Sequence, residues 1–421
     1  MIDQHIGVQE YRKRREALLR SLKGTVGVVF AGEGAPPLVG RWSPHQHFYY
    51  LTGMKAEHGA AVLFDPKSPD PTNRCILLLK PRDPETEAWE GYRESISAEL
   101  RAKTGFDRIR RTDMLPRLLL GAARRSKRLA CLHPFSTHKA PVSPDLAVFR
   151  EVSQRVVGVS IEDQTDLIPS MRAVKSRAEQ GLIKKAIEAT AAGLEAMLAR
   201  LEPGVNEATL QTVLEATFRE KGGTGAAYNP IVGAGLNSTV LHYNDNDRVA
   251  NDGDLLVVDA GAGVGGYASD ITRTYPVSGK FTKRQREIYS TVLKAQEAAI
   301  RAIKPGAEMH EVDGAARAVI EKAGFGDAYI HGIGHHLGLE VHDATPLGPL
   351  APGHIVTIEP GIYLPDEKLG VRIEDDILVT PKGSSNLSAA IPKSVEEVEA
   401  QMKRARGARA PGAGSGARGA G

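Results

Sequence analysis

The chain has 421 residues, room for two or three domains whose cores need no disulfide staples. Its 41% hydrophobic and 25% charged residues are those of a soluble globular protein, and its two cysteines, Cys75 and Cys131, lie 56 positions apart in no metal or redox spacing. Net charge is +3, but the last nineteen residues carry Lys403, Arg404, Arg406, Arg409 and Arg418 with no acid, so the remainder sits near −2 and offers no excess positive charge to nucleic acid.

The first twenty residues, MIDQHIGVQEYRKRREALLR, lack the apolar stretch of a signal peptide, and no apolar run is long enough to span a bilayer. A cytoplasmic protein without membrane contact is expected, and the cysteine usage agrees. The segment Arg12–Lys23 is amphipathic. TVGVVFAG (25–32), HFYYLTG (47–53), GAAVLF (59–64) and RCILLLKPRD (74–83) read as strands, and 108–122 and 144–155 as helices. This α/β pattern predicts a first domain over residues 1–171.

At Ile168–Lys175 the texture changes. Ser176 and Glu179 form a capping box ahead of a helix with Ile183, Ile187, Leu194, Met197, Leu198 and Leu201 on one face. Pro203-Gly204 ends it, and Asn206 caps a second helix that stops at Gly222-Gly223. The arrangement recurs: Thr282 and Gln285 form another capping box, Pro305-Gly306 closes the long helix, and a further helix runs to about Lys322. RLEPGVNEATLQTVLEATFREKG and AIKPGAEMHEVDGAARAVIEKAG align with an offset of 102 residues. Two similar α/β halves facing each other are predicted over 172–395. The remainder, 396–421, reads as a disordered basic Gly/Ala/Arg tail.

Each half carries acids in apolar strand sequence. In DLLVVDAGAGVGGYASDITRTYPV (254–277), Asp259 closes one strand and Asp270 sits inside the next. In HIVTIEPGIYL and GVRIEDDILV, Glu359 and Glu374 take the matching places, at offsets of 100 and 104; His242 and His342 also differ by 100. Strand-end aspartates that cap turns are the bland alternative. Four carboxylates among valines and isoleucines would repel, and buried charge needs a partner, so one dication or a pair is the natural companion. Four of the thirteen histidines stand in HGIGHHLGLEVHD, where His335 or His336 completes a carboxylate-imidazole set suited to Mn²⁺, Co²⁺ or Zn²⁺. Gly261, Gly263 and Gly266 match the dinucleotide fingerprint, but a strand pattern follows where that motif needs a helix.

These motifs resemble those of the pita-bread metallopeptidases, which include methionine aminopeptidase, prolidase and aminopeptidase P. The resemblance covers about residues 172–392 and implies that two divalent ions, Mn²⁺ before Co²⁺ or Zn²⁺, are held by Asp259, Asp270, His335, Glu359 and Glu374. His336 then becomes a neighbour, not a ligand. HFYYLTG and LLLKPRDPETEAWEG are similar to the N-terminal domain of bacterial aminopeptidase P, with Glu90 departing from an apolar position beside Trp89. Creatinase shares the fold without these ligands.

The resemblance implies hydrolysis of the Xaa-Pro bond at a peptide N-terminus, in a chain that forms dimers or tetramers. Asp270 and Glu374 would bridge the ions around a shared water, Asp259 would hold one, and His335 and Glu359 the other. Glu359 would act as general base and His342 would stabilise the oxyanion. His242 and His331 would bind near the scissile bond and the proline, and Arg372 would steady the carboxylates from one face of Glu374's strand. Tyr363 is a weaker substrate contact, while Arg82, Trp89, His45, His47 and His58 carry no functional expectation. A prolidase limited to dipeptides and an inactive peptide-binding module on the same fold are the alternatives.

Overall fold

The structure, a computed structural model, describes residues 5–33, 42–135 and 141–407. It divides into two compact units, Met1–Arg172 and Ala173–Gly421.

The first unit is built on a six-stranded mixed sheet. Its order is Arg108–Arg111, Cys75–Leu79, Ala61–Phe64, Val26–Phe30, Arg128–Cys131 and Ser160–Asp163. Alternating residues Val26, Val28, Ala61, Leu63, Ile76 and Leu78 meet Leu119, Ala122, Phe149 and Val152 from the helices Leu115–Ser126 and Pro144–Ser153. Period-two burial against a helical layer is what the strand patterns demand. Two readings need correction. Residues 108–111 form an edge strand, and the helix expected over 108–122 starts at Leu115. HFYYLTG is not a strand: Gln46–Thr52 is a helix. A helix buried on all sides shows the same unbroken apolar run as a buried strand. Its ends are fixed from outside the run. The His45 side chain accepts from the His47 amide, Gly53 adopts a left-handed φ of 69°, and the buried Arg14 and Arg15 guanidiniums donate to the Tyr50 and Leu51 carbonyls.

The second unit repeats one motif. Helices Arg177–Leu198 and Glu207–Glu220 precede a three-stranded antiparallel sheet in which Leu255–Ala260 lies between Ile231–Ala234 and Ile271–Pro276. Helices Lys283–Ala302 and Met309–Lys322 precede a second sheet, with Asp375–Thr380 between Ile355–Ile358 and Gly383–Asn386. Both long helices open with the predicted capping boxes. The internal repeat extends to single hydrogen bonds. The Gly204 amide donates to Ala250 O and the Ala250 amide to Val205 O; the Gly306 and Leu350 amides do the same with Leu350 O and Ala307 O, all four at 2.8 Å.

Asp270 and Glu374 were expected inside strands and are not. The strand Tyr267–Ala268 ends before Asp270, and Ile271–Pro276 begins after it; Glu374 falls between Leu369–Arg372 and Asp375–Thr380. At both places the chain leaves one sheet and joins another. The Asp270 amide turns to the Asp376 carboxylate (3.2 Å) and the Glu374 amide to Thr272 O (3.1 Å). A strand break frees a side chain from the alternation that would bury it in one face. Strands also follow Gly266, the context that excludes a dinucleotide turn.

The expected tail also needs correction, because Val395–Gly407 is a helix. Val395, Val398, Met402 and Ala405 recur at three- and four-residue spacing and are buried. The Arg406 guanidinium caps the carbonyls of Leu201, Val277 and Ser278. Residues 408–421 lie outside the described residues.

The acidic turn is braced by a fully buried ion pair, Arg273 Nη2 to Asp375 Oδ1 at 2.8 Å. Arg273 also donates to Glu374 O and Lys393 pairs with the other Asp375 oxygen, so burial, which alone would raise Asp375, is outweighed and its carboxyl titrates low. Breaking a buried pair leaves an uncompensated charge. Asp375→Ala is expected to destabilise the second unit by about 3–5 kcal/mol, read as a lower urea midpoint. An unchanged midpoint would show that the pair only fills space.

Candidate metal centre

Nine of the ten predicted site residues line one cavity of about 540 Å³: His242, Asp259, Asp270, His331, His335, His342, Glu359, Arg372 and Glu374. Tyr363, the tenth, stands one hydrogen bond behind, joining His331 Nε2 (2.9 Å) and Arg372 Nη1 (2.9 Å). The tightest group is Asp270, His335 and Glu374, whose ligand atoms all lie within 4.8 Å of one another. His335 Nε2 is 3.4 Å from Asp270 Oδ2 and 3.6 Å from Glu359 Oε1.

Backbone geometry explains the convergence. His335 and His336 run alongside Ile355–Ile358, with Thr357 N donating to His335 O (2.9 Å) and a bridge between His336 and Val356. Consecutive extended residues point to opposite sides. His335 therefore enters the cavity while His336 packs against His354, ring centroids 5.0 Å apart. Gly334 holds φ 154°, and a side chain there would collide with Thr357 O.

Arg372, the last residue of its strand, lines the same cavity as Glu374; its Nη2 meets Asp259 Oδ2 at 2.8 Å, and its Nε reaches Thr272 Oγ1 at 3.3 Å, the hydroxyl that donates to Glu374. Three further residues enter the cluster that the motifs did not single out. Tyr228 OH donates to Asp259 Oδ1 (2.6 Å) and contacts Asp270. Thr272 Oγ1 donates to Glu374 Oε2 (2.7 Å), and Thr357 Oγ1 receives the His335 amide (3.0 Å). The threonines stand two residues after Asp270 and two before Glu359, so strand period marks them. Tyr228, in the irregular segment AAYNP, has no such signal.

Burial pushes Asp270 and Glu374 up, and each is raised further by the other carboxylates. Burial also lifts Glu359, to about 7, against the pull of His335 and Arg372. For His335 burial works downward, but Asp270 and Glu359 outweigh it and raise the imidazole to about 9. Burial lowers His331 to about 4 and lowers His342, whose ring lies 3.9 Å from that of His335. Four carboxylates thus face one guanidinium and one imidazolium, a deficit of positive charge at a place where oxygen and nitrogen donors converge. That donor set fits a hard divalent cation.

Residues 181–381 match the model of metallopeptidase family M24, and residues 11–130 match that of the aminopeptidase P N-terminal domain. The Xaa-Pro aminopeptidase of Escherichia coli is 33% identical over 95% of this chain and 99% of its own length. This chain belongs to the M24 metallopeptidases. The Xaa-Pro aminopeptidase of Haemophilus influenzae is 33% identical over 85% of this chain and 87% of its own. Among solved structures, E. coli aminopeptidase P with the inhibitor Pro-Leu superposes with a TM-score of 0.85 at 31% identity, covering 96% of this chain and 99% of its own. Pseudomonas aeruginosa aminopeptidase PepP gives 0.84 at 30%, covering 97% and 100%. The expected two-part fold, an aminopeptidase P-type domain before a pita-bread domain, is the fold observed. M24 chemistry uses divalent metal, and the Asp270, His335 and Glu374 group is where such an ion fits.

A cation needs the His335 lone pair and the Glu359 carboxylate free of protons. In the metal-free protein these groups titrate near 9 and 7, so Mn²⁺ binding at pH 7 should release about one to two protons, with affinity rising as pH climbs through that window. Titration calorimetry in two buffers of different ionisation enthalpy measures the release. Equal heats in both buffers would contradict it.

Proposed function

We propose that this M24 chain is a metallo-aminopeptidase that hydrolyses the Xaa-Pro bond at a peptide's N-terminus, using two divalent ions, Mn²⁺ first among Mn²⁺, Co²⁺ and Zn²⁺. The observation that carries the reading is the single cavity in which five candidate metal ligands, three further histidines and one arginine converge. The Xaa-Pro aminopeptidases of E. coli and H. influenzae support the substrate class. In this reading residues 1–171 are the aminopeptidase P-type domain, 172–395 the catalytic domain, and the chain is a cytoplasmic homo-oligomer. Among the described residues no helix is long and apolar enough to cross a membrane.

Asp259, Asp270, His335, Glu359 and Glu374 would hold the metal. When bound, divalent ions acidify water and polarise a carbonyl oxygen. The rest falls to side chains. Glu359, whose carboxyl lies near neutrality before metal binds, accepts the proton of the attacking water. His342, beside His335 and partly open to the cavity, donates to the oxygen on which negative charge develops. His242 borders the scissile bond. His331, oriented by Gly332 O and Tyr363 OH, faces the proline ring. Arg372 fixes Asp259 and Tyr363 together.

The bond before proline suits a dedicated site. Its nitrogen has no hydrogen to dock as a strand, and the ring fixes φ. The departing secondary amine must gain a proton, which Glu359 can return after taking it from water.

The test is hydrolysis of Xaa-Pro-Yaa-Zaa and Xaa-Pro under Mn²⁺. The tetrapeptide should be cut between its first two residues. Glu359→Gln should lower kcat by about 10²–10⁴-fold and His342→Ala by about 10²–10³-fold. Cleavage of the dipeptide alone would make the enzyme a prolidase, and no cleavage of either, with metal bound, would leave a peptide-binding module.

A further inference from the structure

Glu207 is among the fully buried carboxylates that the reaction described above leaves unused. Glu207 opens the helix Glu207–Glu220 and is 0% exposed. Its Oε1 accepts from the Ala234 amide (2.7 Å) and Asn237 Nδ2 (3.5 Å); its Oε2 accepts from Tyr243 OH (2.8 Å) and the Arg248 amide (2.9 Å). Every one of these donors is neutral. A charge buried this far is costly unless several N–H and O–H groups turn toward it. Here the four donors come from 234, 237, 243 and 248, the segment that carries His242 to the cavity.

The rest of the segment is held by single contacts: Asn206 Nδ2 donates to Asp247 O (2.7 Å), the Glu207 amide to Arg248 O (2.9 Å), and Arg248 pairs with Asp254 (3.2 Å). Between Thr239 and Leu255 it contains no helix or strand. Asn246, with a left-handed φ of 48°, ties its middle to Val232 N and Pro230 O. The internal repeat sharpens the point. At the offset of 102 the counterpart of Glu207 is Met309, only partly buried. There the His342 segment is fastened by a different buried charge, Lys175 Nζ to Asp343 Oδ2 at 3.1 Å. Glu207 is thus no requirement of the two-helix motif; it appears in the half whose loop bears His242.

We propose that Glu207 is a positioning residue for peptide hydrolysis: its carboxylate gathers residues 234–248 around itself and so sets the His242 imidazole at the scissile bond. The proposal rests on the functional reading of His242 given above. Ala234 ends the strand that pairs with Leu255–Ala260, the strand of Asp259, so one carboxylate ties the His242 loop to the metal-bearing sheet.

The test is a double-mutant cycle on full-length, Mn²⁺-loaded protein. Glu207→Gln replaces an acceptor oxygen with an NH₂ that faces donors. It should lower kcat/KM by about 10²-fold, the effect of an ångström-scale misplacement, while leaving Mn²⁺ affinity unchanged. Combined with His242→Ala it should add no further loss, and amide exchange in 235–248 should accelerate. Losses that multiply would overturn the proposal, because Glu207 would then act independently of His242. A fully active His242→Ala enzyme would overturn it too, and would separately remove His242 from the reaction while leaving the metal reading intact. Should Glu207→Gln not fold, Tyr243→Phe removes one of the four donors and runs through the same cycle, with the same two outcomes deciding.

Discussion

Uncompensated negative charge is the constraint around which the second unit is built. Asp259, Asp270, Glu359 and Glu374 are carried into one cavity, three of them on backbone that has just left a strand. The protein answers part of that charge itself: Arg372 on Asp259, His335 between Asp270 and Glu359, and hydroxyls from Tyr228 and Thr272. What remains unanswered suits the cluster to a divalent cation. Carboxylates gathered this closely are already arranged for an ion that would relieve their repulsion.

The repeat supplies the geometry economically. Each half brings two carboxylates in or beside its strands and one histidine on the irregular segment that precedes them, and the ladder hydrogen bonds at 204–205/250 and 306–307/350 show how closely the halves agree. Where they differ, the difference is chemical. His335 has no counterpart in the first half, and the two histidine segments are fastened by different buried charges, Glu207 and Lys175–Asp343. A symmetric scaffold thus carries an asymmetric site, which suits a substrate with a free amino end on one side of the bond and proline on the other.

Much of this was legible in the residues. Apolar strands interrupted by acids at offsets of 100 and 104 pointed to Asp259, Asp270, Glu359 and Glu374, and the histidine-rich segment supplied His335. The helix pairs showed in capping boxes and Pro-Gly stops. What periodicity missed depends on contacts remote in the chain. The last carbonyls of the helix Gln46–Thr52 accept hydrogen bonds from Arg14 and Arg15, 36 residues earlier in the chain. Arg372 pairs with Asp259, 113 residues away. Tyr228 meets two carboxylates 31 and 42 residues away. The helix Val395–Gly407 hid behind a composition dominated by the Gly/Ala/Arg sequence that follows it.

The most direct measurement is the melting temperature of metal-free and Mn²⁺-loaded protein, in the wild type and in Glu374→Gln. If the carboxylates repel one another until a cation arrives, Glu374→Gln should melt higher than the wild type without metal and should lose most of the gain on adding Mn²⁺. A variant that melts lower without metal, yet gains as much from Mn²⁺ as the wild type, would mean that the acids serve the fold and that the ion binds elsewhere.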